Sequence, residues 1–223
     1  MAHPSLKSLI KRFEERLSSS EELFNSVYAV ASGDEPAKDG SLSRSQSSRV
    51  VSLAFLQMVT AWEDFVECIF LRYMIGAESP SGYKPRLRQT KPKNLDAAFE
   101  LLCEGKKLEF LKWSNSDKIR DRAKIYFEKG EPFQVIRGDH FKDIFTIRNR
   151  IAHCSGVSKE HFIELAKLYR NGKSTTKLKG GYRVDHLLVE CPTRRWPNKS
   201  KQPLFMRYLK MLREAAQIIA PMK

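Results

Sequence analysis

The chain has 223 residues, of which 41% are hydrophobic, and its 40 Lys and Arg against 26 Asp and Glu give a formal charge of +14. That length and balance suit a soluble globular protein with a sizeable core and argue against a disordered chain. No apolar run approaches the roughly eighteen residues of a membrane span, and MAHPSLKSLIKR lacks the apolar stretch and cleavage site of a secretory signal, so a single cytoplasmic domain over residues 1–223 is expected.

From Ser5 to Ala31, Leu6, Leu9, Ile10, Phe13, Leu17, Leu23, Phe24, Val27 and Tyr28 recur at spacings of three and four, which predicts an amphipathic helix with a candidate break at Ser18–Ser20. ASGDEPAKDGSLSRSQSS then reads as loop. A long central helix is predicted from Ser47 to Ile75, with Val51, Phe55, Met58, Trp62, Phe65, Val66, Ile69 and Tyr73 on one broad face. The Pro-rich stretch 77–94 places Lys84, Arg86, Arg88, Lys91 and Lys93 against the single acid Glu78, and Asn94 is the natural N-cap of the helix LDAAFELLCEG.

Further helices are predicted over Ser116–Lys129, Asp139–His153 and Lys159–Arg170, the second closed by Ser155-Gly156. Gly180-Gly181 among alternating or β-branched residues predicts a small β-hairpin near 175–190. A second basic loop, 191–203, precedes an apolar C-terminal helix through Phe205, Leu209, Leu212, Ala216 and Ile219. The class is therefore mainly α.

The excess of cations draws the chain to polyanions, nucleic acid first, although an acidic protein would satisfy the same charge. Cys68, Cys103, Cys154 and Cys191 form no C-x-x-C pair, so neither a disulfide framework nor a zinc knuckle is written here. A metal set from His153, Cys154, His186 and Cys191 lacks ligand spacing, and Cys154 and His153 as helix neighbours point about 100° apart, which defeats a thiol–imidazole dyad. His3, His140, His161 and His186 have no motif around them.

On a helical wheel at about 100° per residue, Phe141, Ile144, Phe145, Ile151 and Ala152 form one apolar arc with Arg148 in its middle. A cation in a burying stripe is costly unless it is paired or faces a cleft. A purely structural reading packs its stem and sends its head to an acid such as Glu63 or Asp64. The string Arg148-Asn149-Arg150-Ile151-Ala152-His153, preceded by an F-x-x-I-F run, resembles the R-x4-6-H signature of the HEPN superfamily in its R-N-x-I-A-H form. The likeness is close over the motif helix and loose over the helical organisation, where it points to the RiboL-PSP branch. Two positions depart from common family patterns: Cys154 stands where many members have Gly, and Ser155 where partner-silenced toxins carry the Tyr of H-x-Y.

The resemblance implies a HEPN-like helical bundle and a homodimeric, metal-independent endoribonuclease without cofactor. Arg148, Asn149 and His153 would be its catalytic residues, and a toxin–antitoxin or antiviral defence system its setting, with RNA and an antitoxin or other defence protein as partners. Metal-free RNA cleavage requires a base for the 2′-OH proton, a cation for the phosphorane and an acid for the 5′-oxygen. His153 suits base or acid, because imidazole titrates near neutral pH, and Arg148 carries a permanent charge on a fork that matches phosphate oxygens. Residues five apart lie about 140° apart on a helix, so Arg148 and His153 of one chain do not share a face. A two-fold axis at Arg148 would gather two Arg and two His in one cleft.

Lys84, Arg86, Arg88, Arg194 and Arg195 are the expected RNA-contacting cations, with Tyr83, Tyr182 and Trp196 as stacking surfaces. Two readings of other classes compete: a non-catalytic RNA-binding HEPN module, and an interaction module for an acidic protein. Binding alone explains neither Arg148 in an apolar stripe nor its spacing to His153.

Overall fold

A computed structural model describes residues 5–38, 40–103, 113–153, 155–171, 178, 180–196 and 201–222. The described residues form eight α-helices: α1 (Leu6–Ser32), α2 (Arg44–Met74), α3 (Leu95–Cys103), α4 (Ser116–Tyr126), α5 (Asp139–Ala152), α6 (Gly156–Asn171), α7 (Val184–Val189) and α8 (Leu204–Ile219). Two short 3-10 turns, Glu128–Gly130 and Phe133–Val135, lie between α4 and α5. Among the described residues no helix is long and apolar enough to cross a membrane.

Helix α1 runs through its serines without a break: Ser20 is buried, and its hydroxyl finds its partner within the helix by donating to the Arg16 carbonyl at 2.9 Å, one turn back. Helix α2 starts three residues earlier than the apolar pattern suggests. Ser43 and Gln46 form a capping box: Ser43 N–H donates to Gln46 Oε1 (2.8 Å) and Gln46 N–H to Ser43 Oγ (3.4 Å). Asn94 caps α3 as expected, accepting from Ala97 N–H at 2.9 Å.

The chain packs as two compact units. The first comprises Met1–Glu15, Thr60–Lys142 and Met211–Lys223. In its core Phe13 stacks on Phe65 at 4.5 Å, Trp62 lies 5.8 Å from Phe141, and Phe70 meets Phe127 and Phe133 at 5.0 and 4.8 Å. Tyr73 ties α2 to α8 through a buried hydrogen bond to the Ile219 carbonyl (2.8 Å). The helix expected to reach Lys129 stops at Tyr126, because Phe127 turns extended and pairs antiparallel with Leu87. That bridge anchors the first basic loop: Arg88 N–H donates to the Tyr126 carbonyl (2.9 Å) and Glu128 N–H to the Arg86 carbonyl (2.8 Å).

The second unit comprises Arg16–Val59 and Asp143–Lys210. Phe24 of α1 stacks flat on Phe205 of α8 at 4.2 Å, and Phe55 of α2 meets both Phe205 and Tyr208 edge-on. The expected hairpin is not formed where it is described: Val184–Val189 is the helix α7, while residues 175–177 and 179 lie outside the described residues. Val184, Leu187 and Leu188 are buried at helical spacing, and this outweighs their β propensity.

The Arg183 guanidinium clamps Asp185 with two hydrogen bonds of 2.9 and 3.0 Å in the first turn of α7. Burial pulls the Asp185 carboxyl upward, but Arg183, the Ser48 hydroxyl and His186 together hold it below the usual carboxylate range. A depressed carboxyl stabilises the fold above its unfolded pKa of about 3.9, and this contribution disappears as pH falls through the lower folded value. Acid unfolding followed by circular dichroism should therefore show Asp185→Asn less sensitive to pH below about 4 than the parent, at the expense of stability near neutrality.

Candidate active site

Helix α5 carries the motif. Its buried side chains are Phe141, Asp143, Ile144 and Ile147; Phe145, Arg148, Asn149, Arg150 and Ile151 are half-buried, and Ala152 and His153 are exposed. The buried face is thus turned by roughly 60° from the expected arc, because Asp143 and Ile147 point inward and Ala152 does not. Arg148 consequently sits towards one edge of the buried face rather than at its centre, half-buried with its Nε enclosed, beside Phe145 and Ala152.

His153 follows the last residue of α5, and its N–H still donates to the Asn149 carbonyl at 2.9 Å, so the final turn is intact. Only residues 153–155 join α5 to α6. Within the joint the Ser155 hydroxyl caps α6 by accepting from Ser158 N–H (3.2 Å), while the buried Ser158 hydroxyl lies 2.7 Å from the His153 carbonyl and 2.9 Å from that of Ser155. Backbone bonds on both sides therefore fix where the imidazole leaves the helix. Ser155-Gly156 both closes one helix and opens the next. Cys154, whose thiol the helix geometry sets aside as a nucleophile, lies outside the described residues.

The inward side of α5 is held by a polar cluster that the wheel does not reveal. Asp143 is 3% exposed and accepts from the Tyr169 hydroxyl (2.8 Å) and from Arg195 through Nε (2.8 Å) and a terminal nitrogen (2.6 Å). The Tyr169 and Tyr208 hydroxyls share a further 2.8 Å bond. Burial, then the neighbouring Asp143 charge, drives the Tyr169 phenol far above its ordinary range; burial, then Tyr169 and Asp143, does the same to Tyr208. Both phenols therefore serve as neutral hydrogen-bonding groups.

Arg195, expected among the RNA-contacting cations, is thus spent on Asp143, with its backbone in the left-handed region (φ 49°). Arg207 pins the same loop by donating to the carbonyls of Pro192 (2.8 Å), Trp196 (2.9 Å) and Gln202 (3.1 Å). Arg194 is exposed, and residues 197–200 of this loop lie outside the described residues. In the first unit Lys84 and Arg86 are exposed and only loosely paired, with Glu78 (3.5 Å) and Glu128 (3.7 Å). Such pairs leave a cation available to a phosphate. Arg88 is exposed but donates to the Lys124 carbonyl at 2.9 Å.

The three expected stacking residues all pack against the protein. Tyr83 meets Tyr73 edge-on at 6.2 Å, Tyr182 stacks on Phe162 at 6.3 Å and Trp196 lies 5.4 Å from Tyr208. Among the described residues no group of three or more His, Cys, Asp or Glu is placed to hold a metal ion. Comparison with known proteins returns no matching family model, no matching curated protein and no matching solved structure.

Proposed function

We propose that the chain is a metal-independent endoribonuclease of HEPN type that acts as a homodimer in a toxin–antitoxin or antiviral defence system, under the control of an antitoxin or other defence protein. The observation that carries this reading is the half-buried Arg148 at the edge of the buried face of α5, with Asn149 beside it and an exposed His153 at the helix exit. In the reaction His153 of one subunit takes the 2′-OH proton, and the 2′-oxygen attacks phosphorus. Arg148 neutralises the phosphorane, and the imidazolium of the second His153 protonates the departing 5′-oxygen, leaving a 2′,3′-cyclic phosphate and a 5′-hydroxyl.

Dimerisation is supported by that edge of the helix, where Phe145 is incompletely covered and Ala152 is exposed beside a cation. A second copy across a two-fold axis would cover them and bring both Arg148 side chains to one cleft. The about 140° between positions five apart on a helix is the geometric argument for a second copy. A monomer that merely binds RNA, through loops such as 77–94, is the reading left if this fails.

The test is incubation of the purified protein with mixed cellular RNA in EDTA, followed by analysis of the 3′ ends. Fragments ending in cyclic or 3′-phosphate support the proposal; intact RNA with salt-dependent binding favours the non-catalytic module. The basic loop has its own signature: neutralising Lys84 and Arg86 together should flatten the dependence of log affinity on log salt by about 1.4, at about 0.7 per phosphate contact on a single strand, in fluorescence anisotropy with a labelled RNA. An unchanged slope would remove these residues from the interface.

A further inference from the structure

Arg150 lies about 160° round α5 from Arg148, and there it lines a pocket of about 630 Å³ within the second unit. That volume falls in the range of roughly 300–1,000 Å³ usual for small-molecule sites. Arg49 of α2 and Lys159 of α6 line the same pocket, so three helices each direct a cation at one space. None of the three has an ion pair or a side-chain hydrogen bond among the described residues. A fourth cation, Arg183, is occupied by Asp185, the single acid of the lining. The pocket therefore keeps a net charge of three positive, which favours a multivalent anion.

The rest of the wall is of another kind. Leu53 is 58% exposed at the pocket, unusual for a leucine, and Ile151 is half-buried beside Arg150. Tyr182 contributes an aromatic ring held in place by Phe162 (6.3 Å) and by Arg170, whose guanidinium lies 5.5 Å from the ring centre. Ser45 and Ser52 add hydroxyls from the first turns of α2. A bare phosphate would leave Leu53 and Ile151 uncovered, and an apolar ligand would leave three cations uncompensated.

We infer that this pocket binds a nucleoside phosphate, its phosphate held by Arg49, Arg150 and Lys159 and its base laid against Leu53, Ile151 and Tyr182. The nucleotide is either free or one unit of an RNA strand, and the site is separate from the Arg148 flank. The inference does not depend on the ribonuclease reading, because binding is measured with ligands that cannot be cleaved.

Isothermal titration of the full chain with AMP, with a 2′-O-methylated trinucleotide and with inorganic phosphate tests it. Lys159→Gln and the double variant Arg49→Gln/Arg150→Gln should each weaken nucleotide binding at least tenfold, and Leu53→Asp should do so too. The thermal midpoints of these variants should stay near that of the parent, since Arg49, Lys159 and Leu53 are exposed. Tighter binding of AMP identifies a free nucleotide as the ligand, and tighter binding of the trinucleotide an RNA strand; both support the site. No binding of either, binding unchanged in all the variants, or inorganic phosphate binding as tightly as AMP would overturn it.

Discussion

Replacing His153 by Ala should lower the initial rate of EDTA-resistant RNA cleavage by about 10²–10⁴-fold, the contribution usual for a positioned acid or base. The side chain is exposed, so the same substitution should shift unfolding free energy by no more than about 0.5 kcal/mol. Arg148→Ala should be comparably inactive, and Arg148→Lys should recover little, because a point charge does not reproduce the guanidinium fork. Mixing the two inactive proteins discriminates further. A heterodimer of Arg148→Ala and His153→Ala subunits still gathers one Arg and one His in a shared cleft, with water standing in for the missing general acid, so a fraction of the activity should reappear on mixing if the site spans two chains. A His153→Ala protein that cleaves within threefold of the parent would end the assignment, and inactive mixtures would end the shared cleft.

Asp143→Ala should cost about 3–5 kcal/mol, the usual consequence of leaving one partner of a buried ion pair without the other. The carboxylate answers donors from α6 and the loop before α8, so its loss removes two hydrogen bonds from the Arg195 guanidinium and one from the Tyr169 hydroxyl. Urea unfolding would register the drop as a lower midpoint at constant slope. Replacing both members, Asp143→Leu with Arg195→Met, should restore much of the stability, since an apolar pair of similar volume is often no worse than a buried salt bridge. If Asp143→Ala unfolds like the parent, the cluster contributes nothing to stability.

Helices with a broad apolar face were legible directly: α2 and α8 follow their periodicity closely, and Asn94 announces the start of α3. The early start of α2 was legible in principle, in the Ser43–Gln46 capping pair, but apolar periodicity says nothing of a polar first turn. Helix α7 was misread because two glycines and β-branched residues mimic a hairpin over a segment too short for periodicity to decide. The motif residues share one helix and so could be placed from sequence alone. The role of Arg195 could not, since it depends on a left-handed backbone angle and a partner 52 positions away. The tilt of α5 was hidden for the same reason: Asp143 turns inward to donors that lie elsewhere in the chain. The pocket likewise assembles from segments far apart in sequence.

The three-residue joint between α5 and α6 leaves His153 almost no slack. With its own N–H bonded into α5 and its carbonyl held by Ser158 of α6, the residue behaves as the pivot of a lever whose two arms are those helices. The Ser158 hydroxyl links the start of α6 directly to the His153 carbonyl. A substitution in the first turn of α6 should therefore move the imidazole, and with it any chemistry His153 carries, without touching it.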